Sequence, residues 1–318
     1  MTNSAPIPGS SPNPWVEGRA WRGAAAVVAV AFATSVAQPS VLVAVPLLVL
    51  VGMGGVRGGA TFLATVFAML VLLLGPRDGF WYAERAWALV AGGLFAALSI
   101  GRPGWTLTSR TLASVAGAVA ACAGLLALRA EAWATLNWAI SDRLRAGFAT
   151  WLDAITVLRD GQAPSPALVS AIYRTVEAQV AVFPALLAIE TMAALAATWW
   201  LYVRIVHRSD EGLGPFGRFR FNDHLVWLMI GGLALVAGWA NEGVTRLGAN
   251  LAVFMAALYA VRGLAVGVSV SGGISLLGTT MIVLGVLFAA PVVIGFAVLL
   301  GVADTWLDLR ARAASMAA

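Results

Sequence analysis

Apolar runs separated by short polar turns recur along almost the whole chain of 318 residues. They fall at 23–36, 40–53, 60–74, 86–100, 111–128, 179–203, 225–240, 250–270 and 274–301. A helix of about 20 apolar residues crosses a hydrocarbon core of about 30 Å, so each run reads as a membrane segment. Counting the first two as one span broken at Pro39 gives about eight segments, and counting them apart gives about nine. The expected fold is therefore all-α, a polytopic transmembrane bundle over 23–301.

The flanks read differently. Residues 1–22 begin Pro- and Ser-rich, which predicts a disordered tail. Trp15, Arg19, Trp21 and Arg22 close that tail as an interfacial anchor. Ser35-Val36-Ala37 resembles a cleavage site, but apolar sequence resumes at once and a retained first helix is expected. The glycines around Arg57 read as a tight turn rather than a phosphate loop, because no strand or Walker spacing precedes them. Residues 302–318 read as a C-terminal tail.

The pattern changes over 131–178. Between 136 and 158 the apolar positions Ile140, Leu144, Phe148, Trp151, Leu152, Ile155 and Leu158 keep helical spacing. Asp142, Arg143, Arg145 and Asp153 fall between them, which predicts an amphipathic interfacial helix. Pro164 and Pro166 end it, and a further helix over 167–177 leads back to the membrane. Phe80, Trp81, Tyr82 and Trp87, beside Glu84 and Arg85, read as an aromatic belt in a loop. The loop 204–224 carries Arg204, Arg208, Arg218 and Arg220, and is expected on the cytoplasmic side by the positive-inside rule. Pro184 and Pro291 lie inside apolar runs, and a kink is expected at Pro291.

Composition agrees with this pattern. The chain is 60% hydrophobic and 11% charged, with a mean hydropathy of +0.87. Soluble domains carry about 25% charged residues, so the class is integral membrane. The net charge of +5 is scattered among loops and does not point to nucleic acid. The single cysteine, Cys122, can form no intramolecular disulfide.

Few residues carry chemistry. Arg262 lies deep in an apolar run, where a guanidinium costs about 3 kcal/mol or more and needs a partner. Glu190 lies in another run at a similar depth: about 16 Å below one surface, against about 18 Å for Arg262, at 1.5 Å per residue. A Glu190–Arg262 pair is the expected polar site, with Asn250 as a third substrate-binding residue. Glu242, Arg246 and Asn250 recur every four residues and form a polar ridge on one helix face. Ala25, Ala29 and Ala33, and again Ala116, Ala120 and Gly124, form small-residue ridges for close helix packing. His207 and His224 have no metal-ligand spacing, so no metal and no cofactor are expected. No hydrolase, metalloprotease or nucleotide-binding motif occurs, so the expectation is a protein that is not an enzyme.

One stretch supports a family resemblance. Gly214-Pro215-Phe216, Arg218-Phe219-Arg220, Asp223, Leu225-Val226-Trp227, Leu247-Gly248-Ala249-Asn250-Leu251 and the run from Leu258-Tyr259 through Arg262-Gly263 to Ala265 resemble the YybS-like family. These are bacterial multi-pass membrane proteins carrying a domain of unknown function. They are distantly similar to substrate-binding subunits of energy-coupling-factor transporters, which bind small molecules and borrow ATPase subunits. The resemblance implies a bacterial inner-membrane protein, in contact with lipid and with other membrane or ATPase subunits. Its function would be small-molecule binding or transport. The alternative is a structural or assembly protein that binds other proteins without a small ligand.

Overall fold

The computed structural model describes residues 81–128, 131–158, 162, 164–206, 214–238, 241–273 and 276–317. The expected segments before residue 81, the turn around Arg57, and the ridge Ala25, Ala29, Ala33 lie outside the described residues. So does His207. All regular structure among the described residues is helical. The helices are α1 (Trp81–Gly101), α2 (Leu107–Ala127), α3 (Ala132–Leu158), α4 (Pro166–Val206), α5 (Val226–Ala237), α6 (Glu242–Val270), α7 (Leu276–Leu307) and α8 (Leu309–Ala317). Four of the described segments are long and apolar enough to cross a membrane: Leu107–Ala127, Pro166–Trp200, Glu242–Val270 and Leu287–Leu307.

The chain divides into two compact units. The described part of the first holds α1 and the last turns of α4, from Ala194. Trp81, Tyr82, Glu84, Arg85 and Trp87, expected in a loop, form the first turns of α1 instead. Arg85 and Trp87 are buried. In this unit Phe95 meets Trp199 edge-on at 6.3 Å, and Trp199 meets Tyr202 at 5.3 Å.

The second unit holds the rest, with α6 at its centre. Asn241 caps α6 by accepting the Val244 N–H at 3.0 Å, and Glu242 places a negative charge in the first turn, where the helix dipole favours it. On one side α6 meets α5. A Cβ on Gly248 would lie 2.8 Å from the Gly232 carbonyl oxygen and 3.0 Å from the Val236 nitrogen. On another side it meets α7, where a Cβ on Gly263 would overlap the Ala297 carbonyl and one on Gly301 would overlap the Tyr259 carbonyl. Glycine is required at these crossings because the backbones themselves touch. The expected ridge Ala116, Ala120, Gly124 on α2 is exposed. The opposite positions Thr111, Ser114, Val115 and Ala118 are the buried ones.

Three expected segments take another form. α5 has 12 residues, about 18 Å at 1.5 Å per residue, and is too short to cross the core. α4 fuses the expected helices 167–177 and 179–203 into one of 41 residues with Pro184 inside it. α7 is kinked at Ala289, whose φ of −139° is not helical, two residues before Pro291. The bend is sharp enough that a Cβ on Gly285 would lie 2.9 Å from Val293 Cγ2; eight residues of straight helix would separate them by about 12 Å. Residues expected as a C-terminal tail are helical, in α7 to Leu307 and then in α8. Asp308 joins the two with φ of +43°, a left-handed conformation that turns the chain abruptly.

α3 follows its pattern closely. Ile140 is buried and Leu144, Phe148, Leu152 and Ile155 are half-buried, while Asp142, Arg143, Arg145 and Asp153 are exposed. The stripe frays at its edge, where Trp151 and Leu158 stay exposed.

Candidate functional site

Arg262 is fully buried, eight residues before the end of α6. Its position in an apolar helix demands counter-charges, and two aspartates supply them. Nε donates to Asp304 Oδ2 at 3.0 Å, from the last turn of α7. Nη1 donates to Asp223 Oδ1, from the 3-10 turn Asp223–Leu225 that opens α5. The Phe221 ring lies against the guanidinium, 5.4 Å from its centroid, and stacks edge-on with Tyr259 at 5.1 Å. Phe221, Val226, Met255, Leu258 and Tyr259 form the apolar floor of the cluster.

The network extends outward. Arg310, at the start of α8, donates from Nη2 to the same Asp304 Oδ2 at 2.8 Å. Its Nη1 donates to the carbonyls of Gly217 and Phe219, both at 3.0 Å. Arg220 lies 3.6 Å from Asp223 and 3.7 Å from Asp308, at the exposed rim. Arg220, Arg262 and Arg310 thus face Asp223, Asp304 and Asp308, and their formal charges cancel. Cancellation is what makes a buried ion cluster tolerable, because each charge left alone in low dielectric costs several kcal/mol.

Four polar atoms in this cluster are left over. Arg262 Nη2, Asp304 Oδ1, Arg310 Nε and the Tyr259 hydroxyl are buried without a hydrogen bond of normal geometry. The Tyr259 hydroxyl lies beside Thr305, whose own hydroxyl donates to the Gly301 carbonyl at 3.4 Å. Buried polar groups in folded proteins are paired in the great majority of cases, so these open atoms are exceptions.

Glu190 takes no part in this cluster. It is exposed on α4, and the counter-charges of Arg262 are Asp223 and Asp304. Sequence depth alone could not find these partners. Asp223 lies outside the apolar runs, and Asp304 lies past the end of the last one. Asp304 did leave a signal, as an acid flanked by Val302, Ala303 and Trp306.

Arg246 and Asn250 have a different role from the ridge expected with Glu242. Pro184 has no N–H and pushes away the carbonyl four residues back, which opens the hydrogen bonding of α4. Arg246 Nη2 donates to that carbonyl, Val180 O, at 2.8 Å. Arg246 Nε and Asn250 Nδ2 donate to Ala181 O at 3.2 and 2.8 Å. Asn250 Oδ1 accepts the Ala185 N–H at 2.9 Å. The side chains of α6 thus occupy the backbone groups that the proline leaves open, as broken helices in membranes require. Arg246 also donates to Asn137 Oδ1 of α3 at 2.7 Å and lies over the Trp133 ring at 5.3 Å. Glu242 is exposed and stands apart from this clamp.

Among the described residues no group of His, Cys, Asp and Glu is placed to hold a metal ion. Neither a curated protein nor a solved structure matches the chain. A family model described as "Predicted membrane protein (DUF2232)" matches residues 26–305. Nearly the whole bundle falls inside that match, including Asp223, Arg262 and Asp304, and the chain belongs to this family of membrane proteins.

Proposed function

We propose that the protein is a small-molecule binding or transport subunit, and that its ligand sits against Arg262 and Asp304. One observation carries this reading: the open donor Arg262 Nη2 and the open acceptor Asp304 Oδ1, both buried inside a membrane protein. An unpaired buried polar group costs about 1–3 kcal/mol, and more when charged. A ligand with an acceptor and a donor on one edge would remove both costs at once. Because the surrounding arginines and aspartates balance, the site favours an uncharged polar group, such as an amide or a hydroxyl, over an anion or a cation.

The wider reading follows from the sequence. The chain has no nucleotide-binding motif, so uphill transport would need a partner subunit that hydrolyses ATP. The resemblance to the YybS-like family, and through it to energy-coupling-factor substrate subunits, supports a bacterial inner-membrane protein of this kind. Such a subunit binds rather than catalyses, and needs no cofactor.

A second reading has its own observation. Arg262 ties three elements together through two carboxylates, beside the Gly263–Gly301 crossing. A network that only holds the helices would suit a structural or assembly protein. Native mass spectrometry of the protein taken gently from its own membrane separates the two. A stoichiometric small molecule that stays with the parent protein is the result expected. A bundle free of ligand that arrives with other chains would overturn the binding reading in favour of assembly.

A further inference from the structure

The same end of the second unit carries two arginines that the buried cluster does not use. Arg218 and Arg312 are both exposed, and among the described residues no ion pair involves either. The fold brings their backbones to the same end of the unit. Arg310 grips the carbonyls of Gly217 and Phe219, the two neighbours of Arg218. Arg312 follows Arg310 by two residues on α8. The left-handed turn at Asp308 takes α8 off the line of α7, and α8 packs back against α6.

The depth of this surface in the membrane is fixed by its chemistry. Exposed Arg218, Arg220, Asp308 and Arg312 cannot face hydrocarbon, so this end lies in the headgroup layer. Phe216, Trp227 and Trp306 are 47%, 68% and 64% exposed around the same end. Aromatic side chains gather at this level, with the ring toward the acyl chains and the polar edge toward water.

We propose that Arg218 and Arg312 draw the headgroups of anionic phospholipids to this rim. Guanidinium groups bind phosphate through paired N–H donors and keep their charge at any physiological pH. The buried cluster is neutral as a whole, so these two residues leave a local excess of positive charge with nothing in the described chain to balance it. The exposed aromatic residues at this end give acyl chains an apolar surface. Arg218 also lies in the loop expected on the cytoplasmic side, the leaflet richer in anionic lipid.

The test uses the full chain, exchanged into an equal mixture of phosphatidylglycerol and phosphatidylcholine, with retained lipid read by native mass spectrometry. Each basic residue near a charged headgroup adds about 1 kcal/mol, so two give about a thirtyfold preference for phosphatidylglycerol. The preference should vanish in Arg218→Gln/Arg312→Gln, with thermal unfolding unchanged because both side chains are exposed. It should persist in Arg143→Gln/Arg145→Gln, which removes the same charge from α3. No preference in the parent protein, an undiminished preference in the first variant, or equal loss in both would overturn the proposal. Equal thermal stabilisation by soluble glycerol phosphate and by the lipid would also overturn it, since the site would then take a free anion.

Discussion

Gly263 and Gly301 face each other where α6 crosses α7, so close that a Cβ on Gly301 would lie 2.9 Å from the Gly263 nitrogen. The Arg262–Asp304 contact depends on this approach, because each charged residue stands next to or three residues from a crossing glycine. Gly263→Ala should therefore lower stability by about 3 kcal/mol, at the upper end for an overpacked contact, because the clash is with backbone and not with a flexible side chain. Gly267→Ala, on the same helix but with open space around it, should be neutral or slightly stabilising, since alanine is the better helix former. Thermal unfolding in one detergent compares the two directly.

The clamp on Pro184 predicts an unusual interaction between substitutions. Asn250→Ala should cost about 1–3 kcal/mol, because it leaves the Ala185 N–H and one lone pair of Ala181 without partners. In a Pro184→Ala background the helix can close its own hydrogen bonds, and the same substitution should cost distinctly less. A double-mutant cycle on unfolding free energies measures the difference. Equal costs in both backgrounds would mean that Asn250 does not serve the break.

Asp304→Asn should destabilise by about 3–5 kcal/mol, since it leaves Arg262 and Arg310 sharing one fewer negative charge in a buried place. Arg262→Gln should cost a similar amount. Combined, they should cost less than the sum, because the pair is removed together. Denaturation of the three variants checks this, and strict additivity would show that the two side chains act independently.

Asp308 holds a left-handed conformation that most side chains avoid by about 1–2 kcal/mol. Asp308→Ala should lose a fraction of that amount, because alanine tolerates this conformation less well than aspartate and the contact with Arg220 disappears. Asp308→Gly should be neutral or stabilising, since glycine adopts the turn freely. An exposed ion pair such as Arg220–Asp308 contributes little by itself. The order Gly, Asp, Ala in melting temperature is the outcome to look for.

Much of this fold was legible in the sequence because hydrocarbon imposes a simple rule on composition. The long apolar helices α2, α6 and the second half of α7, the amphipathic α3 and the kink near Pro291 all follow from that rule. The importance of Arg262 followed from the same reasoning, and the family-like stretch from Gly214 to Ala265 contains the clamp, the crossing glycines of α6 and most of the buried cluster. The partners were harder. Depth along a helix can place Glu190 and Arg262 at one level but cannot say which helix faces which. Asp223 and Asp304 come from a turn and a helix end, where an acid attracts no notice. The role of Arg246 and Asn250 was hidden because it depends on Pro184, more than sixty residues earlier. Their spacing of four showed a shared face, and only the packing shows that the face meets an open backbone.

That separation imposes an order on biogenesis. α4 leaves the ribosome with its carbonyls at Val180 and Ala181 open, and the atoms that close them are translated 65 to 69 residues later. Until α6 arrives, the middle of α4 must rely on water or on the insertion machinery to satisfy those groups. α4 is therefore a helix that matures after its own synthesis, and a chain cut short before Arg246 would leave it permanently unfinished.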